Sequence, residues 1–173
     1  MMNALANLLA STHMDAFVSS HDWVWPVCEI VHFFGMALII GCVGLVDIRI
    51  LGVGKGIPIS VLERFVPLGV FGFALNVITG FIFVAGNPIG GPLDYLANMA
   101  FQIKMSLIAI AGINLLVFYV MGIARAADGV APDGEAAASA KAIAIVSLVC
   151  WFGVIFFGRM IMYNDTLLYA LGL

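Results

Sequence analysis

Charge is what this chain has least of. Seven Lys and Arg and ten Asp and Glu make up only 10% of its 173 residues, while 64% are apolar. With a mean hydropathy of +1.15, it has too little polar surface to cover a water-soluble globule, which implies an integral membrane protein. The formal net charge of −3 is scattered without a basic run, so no nucleic-acid partner and no polybasic lipid-binding tail is expected. Cysteine is equally sparse. Cys28, Cys42 and Cys150 lie apart in apolar runs with no CxxC pair, and read as small buried hydrophobes rather than a disulfide framework. The first 20 residues hold no Lys or Arg, which argues against a cleavable secretion signal and leaves insertion to the first span. A Gly-rich phosphate loop before a helix, HExxH, a nucleophile elbow and paired catalytic acids at useful depth are also missing. No catalytic residue of a soluble enzyme type is therefore assigned.

What remains is four apolar runs long enough to cross lipid, at about 23–51, 62–85, 101–123 and 140–163. Gly52, Gly54, Gly56 and Pro58 end the first, and Gly86-Asn87-Pro88 ends the second. Residues 93–100 are expected along the interface, and residues 126–138, rich in Ala, Gly, Asp and Glu, form the one clearly polar linker. The predicted fold is an all-α membrane protein, a four-helix antiparallel up-down bundle. Residues 1–22 form a weakly amphipathic interfacial segment, and residues 23–173 the transmembrane domain. Trp23 and Trp25 are placed to anchor the interface. Arg49, Lys55 and Arg64 flank the first loop, and Arg125 and Lys141 the third. The positive-inside rule makes those loops cytoplasmic and turns both termini outward.

Ionisable residues inside such spans ask for a reason. Asp47, Arg49, Glu63 and Arg64 are explained by pairing across the first loop. Glu29, His32 and Met36 are spaced i, i+3 and i+7 on one helical face. Lys104 and Arg159 reach the same outer level from the third and fourth spans. One imidazole at depth, a carboxylate one turn above it and cations near the rim suit haem b, whose iron needs a neutral imidazole and whose propionates need cations. His32 is then the axial ligand, Arg159 and Lys104 hold the propionates, Glu29 orients His32 or gates protons, and Trp151 helps to wall the ring. Bis-His ligation within one subunit lacks a second intramembrane His. The second ligand falls to His13 or His21, to Met36, Met105 or Met160, or to a neighbouring subunit. His13, His21 and His32 are also candidate metal ligands, with His13-Met14-Asp15 grouping possible copper donors. Asn76, Thr79 and Asn114 read chiefly as interhelical hydrogen-bonding groups, and the many span glycines as helix-packing positions.

Trp25-Pro26-x-x-Glu29-x-x-His32-x-x-Gly35, then Gly41 and Asp47-x-Arg49-x-Leu51-Gly52, resembles an uncharacterised family of small four-span bacterial inner-membrane proteins, a domain of unknown function. The likeness continues through Pro67, Thr79-Gly80, Phe101-x-x-Lys104, Gly112-x-Asn114 and Trp151-x-Gly153-x-x-x-x-Gly158-Arg159. It implies the four-span fold and a bacterial inner-membrane location, and singles out His32, Lys104 and Arg159. More distantly, the chain is similar to four-helix b-type cytochromes and copper-resistance membrane domains. The expected function is haem-b binding for electron transfer or redox sensing at the outer face, as an oxidoreductase-type cytochrome and a homo-oligomer with a quinone or periplasmic redox partner. The alternatives are a small transporter or channel-like subunit for a metal ion or small anion, and a structural subunit of a membrane complex.

Overall fold

A computed structural model describes residues 1–131 and 133–172, without the side chain of Asp128. Pro132 of the expected linker and Leu173 of the tail lie outside the described residues. The described chain is all-helical: α1 (Met2–Ala10), α2 (Met14–Ser19), α3 (Val24–Ile50), α4 (Ile59–Glu63), α5 (Val66–Ala85), α6 (Gly91–Ala97), α7 (Met99–Val120), α8 (Ile123–Asp128), α9 (Ala138–Met160) and α10 (Asn164–Leu171). Four stretches, Val24–Ile50, Ile59–Ala85, Met99–Val120 and Ala138–Leu171, are long and apolar enough to cross a membrane. The protein is a four-helix bundle of multi-pass membrane type.

Local chemistry sets the boundaries. Pro67 and Pro92 stand in the first turns of α5 and α6, where a missing N–H costs least. The turn between α4 and α5 divides the expected second span, and Pro67 explains the division. Asn98 caps α7 by accepting from the Phe101 amide at 3.1 Å. Gly122, at φ 72°, closes α7 before residue 123, because the left-handed region suits glycine.

Helix α3 lies at the centre, packed along α5 on one side and α9 on the other, with α7 packed against α9. The lateral order is α5, α3, α9, α7, and α5 and α7 stand apart. The α3–α5 seam is closest at Gly35 and Gly72. A Cβ on Gly72 would meet the Gly35 carbonyl oxygen at 2.6 Å and Leu38 Cβ at 2.7 Å, and one on Gly35 would meet the Gly72 carbonyl oxygen at 2.7 Å. Only glycine lets the two backbones approach this far.

The two ends of the bundle differ. At the loop end, Ile50, Ile59, Phe118, Ala140 and Ala144 belong to one buried cluster. Arg49, only 2% exposed, folds the first loop over that cluster by donating from Nε to the Ile57 carbonyl at 2.6 Å and from Nη2 to the Lys55 carbonyl at 2.9 Å. This corrects the expected pairing of Arg49 with a carboxylate, since two loop carbonyls turned away from water take its donors first. The carboxylate that bridges the loops is Glu135, 2.8 Å from Lys55 Nζ and 3.1 Å from Lys141 Nζ. At the opposite end, α1 packs on α6, and α2 seats Val18 over Gly86 of the α5 terminus. Helix α10 and the 3-10 turn before it, Ile161–Tyr163, are tied to the start of α7 by the Met99 amide donating to Asn164 Oδ1 and by Asn98 Nδ2 donating to the Ile161 carbonyl.

Gly72→Ala should lower stability in detergent by about 1–3 kcal/mol, the usual cost of overpacking. Gly112→Ala, whose added methyl meets nothing within 4 Å, should leave the melting temperature unchanged or higher. Equal melting of the two variants contradicts the seam. The two lysines hold the Glu135 carboxyl down to about 2 from its ordinary 4.5. A depressed folded value contributes stability above pH 4.5 that is lost as pH falls from 4.5 through 2. Carboxyl-detected NMR should therefore find its midpoint near 2, and Lys55→Ala with Lys141→Ala should return it toward 4.5.

Candidate functional site

Because α5 and α7 stand apart, a cavity of about 730 Å³ opens between the α3–α5 and α7–α9 pairs at the end away from the first loop. Its walls are apolar over most of their area and include Met36, Phe73, Phe81, Met105 and Trp151. Met2 and Leu9 of α1 and Leu96 of α6 also line it. The expected interfacial segment is thus part of the cavity wall. The polar groups on the wall are His32, Asn76, Gln102 and Lys104.

His32 is the ninth residue of α3, about 12 Å along the helix from its start. Its Nδ1 lies 2.7 Å from Thr79 Oγ1. The threonine hydroxyl has one proton, and it donates that proton back to the Leu75 carbonyl at 2.8 Å. In the neutral form of the ring, His32 Nδ1–H is then the donor to Thr79 and the bare lone pair is on Nε2. Thr79 is buried and off the cavity wall, whereas His32 is on it. Phe83 touches the ring edge-on at 5.4 Å. Gly80 leaves open space beside it, since a Cβ there would stand 4.0 Å from His32 Cε1. Asn76 donates through Nδ2 to the Gly72 carbonyl at 3.0 Å, and its buried Oδ1 has no partner.

The structure brings His32, Lys104 and Trp151 to one cavity and leaves Glu29 and Arg159 off its wall. Glu29 is exposed and accepts from Trp25 Nε1 at 3.2 Å. It lies toward α6, where burial, with Asp94 and Glu29 adding to it, pushes the Tyr95 phenol up. Arg159 is exposed, with its guanidinium carbon 5.8 Å from the Tyr163 ring centroid. Met36 and Met105 are on the cavity wall, and Met160 is not. His21 is exposed, its Nδ1 3.0 Å from the Phe17 carbonyl and 2.9 Å from Ser20 Oγ. His13 is exposed at a left-handed turn between α1 and α2. Among the described residues, no three His, Cys, Asp or Glu side chains gather as metal ligands, and His13, His21 and His32 stay separate. Gln102 and the α1 contacts were not singled out in the sequence. An amide near the start of the third span was the only signal for the former, and α1 carried none.

Nitrogen-15 NMR of imidazole-labelled protein should show neutral His32 protonated at Nδ1 and bare at Nε2. Thr79→Val should abolish that preference, and an unchanged tautomer in the variant contradicts the assignment. Comparisons of the chain with protein-family models, curated proteins and solved structures return no match.

Proposed function

We propose that the protein binds haem b in the large cavity, with His32 as axial ligand through Nε2. The carrying observation is the held imidazole: Nδ1 lies 2.7 Å from Thr79 Oγ1, which leaves Nε2 for a ligand, and His32 is on the mostly apolar wall of a space of about 730 Å³. A ligating histidine needs such a partner on its other nitrogen, because that bond sets both the tautomer and the ring orientation. The volume is of the right order for a macrocycle, and Phe73, Phe81 and Trp151 offer aromatic walls. Lys104 supplies the cation for a propionate, and no carboxylate among the described residues pairs with it. Arg159, engaged with Tyr163, takes no part in this assignment. Met36 and Met105 are the sulfur donors on the same wall.

When bound, haem supplies one-electron chemistry. The protein's own residues bind it, exclude water from it and fix the imidazole. A cavity bounded by α5 and α7, two helices that do not close on each other, suits a hydrophobic group entering from lipid. The reading places the His32 end at the periplasmic face of a bacterial inner membrane, in a homo-oligomer, with electron transfer or redox sensing as its role.

Protein purified in detergent from haem-replete cells should show a Soret band that shifts on dithionite reduction. His32→Ala should lose it, while Lys104→Gln should keep the band with weaker haem retention. A colourless wild type, or full absorbance in His32→Ala, overturns the proposal.

A further inference from the structure

A second cavity, of about 230 Å³, lies deeper in the bundle toward the first loop. Asp47 of α3, Glu63 of α4, Asn114 of α7 and Ser147 of α9 are on its wall, which among the described residues contains no Lys, Arg or His. Asp47 is 6% exposed, and its Oδ2 is buried with no partner. Its other contact is with the Ser147 side chain. The nearest guanidinium in sequence, Arg49, is committed to the carbonyls of Ile57 and Lys55. A carboxylate taken out of water without a cation is one of the costliest groups a bundle can hold.

From these groups we infer that the inner cavity is a binding site for one small hard monovalent cation, sodium. The donors are all oxygen: the Asp47 carboxylate, the Ser147 hydroxyl and the Asn114 carbonyl oxygen, since Asn114 spends Nδ2 on the Ile143 carbonyl at 3.0 Å. Oxygen ligands without nitrogen or sulfur select hard cations. Glu63, the other carboxylate on the wall, has an interaction of its own. The valence of one is set by Asp47, which reaches Ser147 and keeps a buried oxygen without a partner. A proton on Asp47 would neutralise it as well, but would not engage the Asn114 carbonyl oxygen. The cavity has room for a partly hydrated ion, at about 30 Å³ per water. The proposal is independent of haem binding, because His32 and Lys104 are not on this wall.

The experiment is thermal unfolding of the full chain in nanodiscs at fixed pH and ionic strength, with sodium chloride titrated against choline chloride. Wild type should gain about 5 °C saturably with sodium, as a ligand specific to the folded state does. Asp47→Asn should lose that gain while melting in choline at or above the wild-type temperature. Ser147→Ala, which keeps the charge, should raise the half-saturating sodium concentration about tenfold, and it serves if Asp47→Asn does not fold. His32→Ala should keep the sodium response whether or not haem is bound. Identical wild-type melting in sodium and choline, as for an Asp47 that carries only a proton, overturns the proposal. So does a sodium response that survives in both Asp47→Asn and Ser147→Ala.

Discussion

The contact between the backbones of Gly35 and Gly72 is the constraint on which the rest of the bundle depends. It draws α3 and α5 together until a methyl group no longer fits between them. His32 lies one turn beyond that contact on α3, and Thr79 two turns beyond it on the antiparallel α5. A 2.7 Å bond between two short-reach groups on neighbouring helices is possible only when the axes are this close. The same approach puts the Asn76 side chain against Gly35 of α3. Packing of small residues, an energy term of van der Waals contact rather than water exclusion in lipid, thereby decides the tautomer of the imidazole.

The second consequence is an asymmetry between the ends. Since α3 binds α5 tightly and α9 binds α7 through contacts such as Leu107 against Gly153, the bundle is two pairs joined mainly along α3 and α9. At the loop end the gap between the pairs is filled by alanine and aliphatic side chains and is strapped by Arg49, Lys55, Glu135 and Lys141. At the other end nothing comparable fills it, and the short helices α1 and α6 contribute to the walls. A rigid base and an open top suit a protein that must stay folded while admitting a bulky apolar ligand.

The spans were legible in the sequence, because length and hydropathy alone identify a helix that must satisfy its backbone in lipid. His32 and Lys104 were legible for a related reason, as ionisable groups at a cost that packing does not offset. Facing was less so. Glu29, His32 and Met36 do share a face: at 100° per residue, Glu29 and Met36 lie on the same side of His32, about 60° and about 40° from it. Glu29 is nonetheless off the cavity wall, about one turn nearer the helix start, where it accepts from Trp25 Nε1. Arg159 was placed at the right depth by rise per residue, but depth does not give azimuth, and the side chain lies over Tyr163. The cavities themselves left no mark in the sequence, since they come from the separation of α5 and α7, a relation between helices that no single periodicity encodes.

Phe73 and Trp151 belong to the walls of both cavities and stand edge-to-face with ring centroids 6.4 Å apart. Two spaces with mostly apolar walls, one with an imidazole and an ammonium and one with carboxylates among their lining groups, are thus stacked along the bundle with an aromatic pair common to both. Stability alone does not account for that arrangement. Filling either space with aliphatic side chains would recover dispersion energy and apolar burial. Replacing Asp47 by an apolar residue of similar volume would also remove the desolvation cost of a carboxylate with no basic partner. A chain with only 17 charged residues that keeps Asp47, His32 and Lys104 inside its membrane-spanning helices gives up packing at both levels. The voids and the polar groups on their walls are therefore not explained by packing, and the Gly35–Gly72 seam supplies the close helix contact beside them.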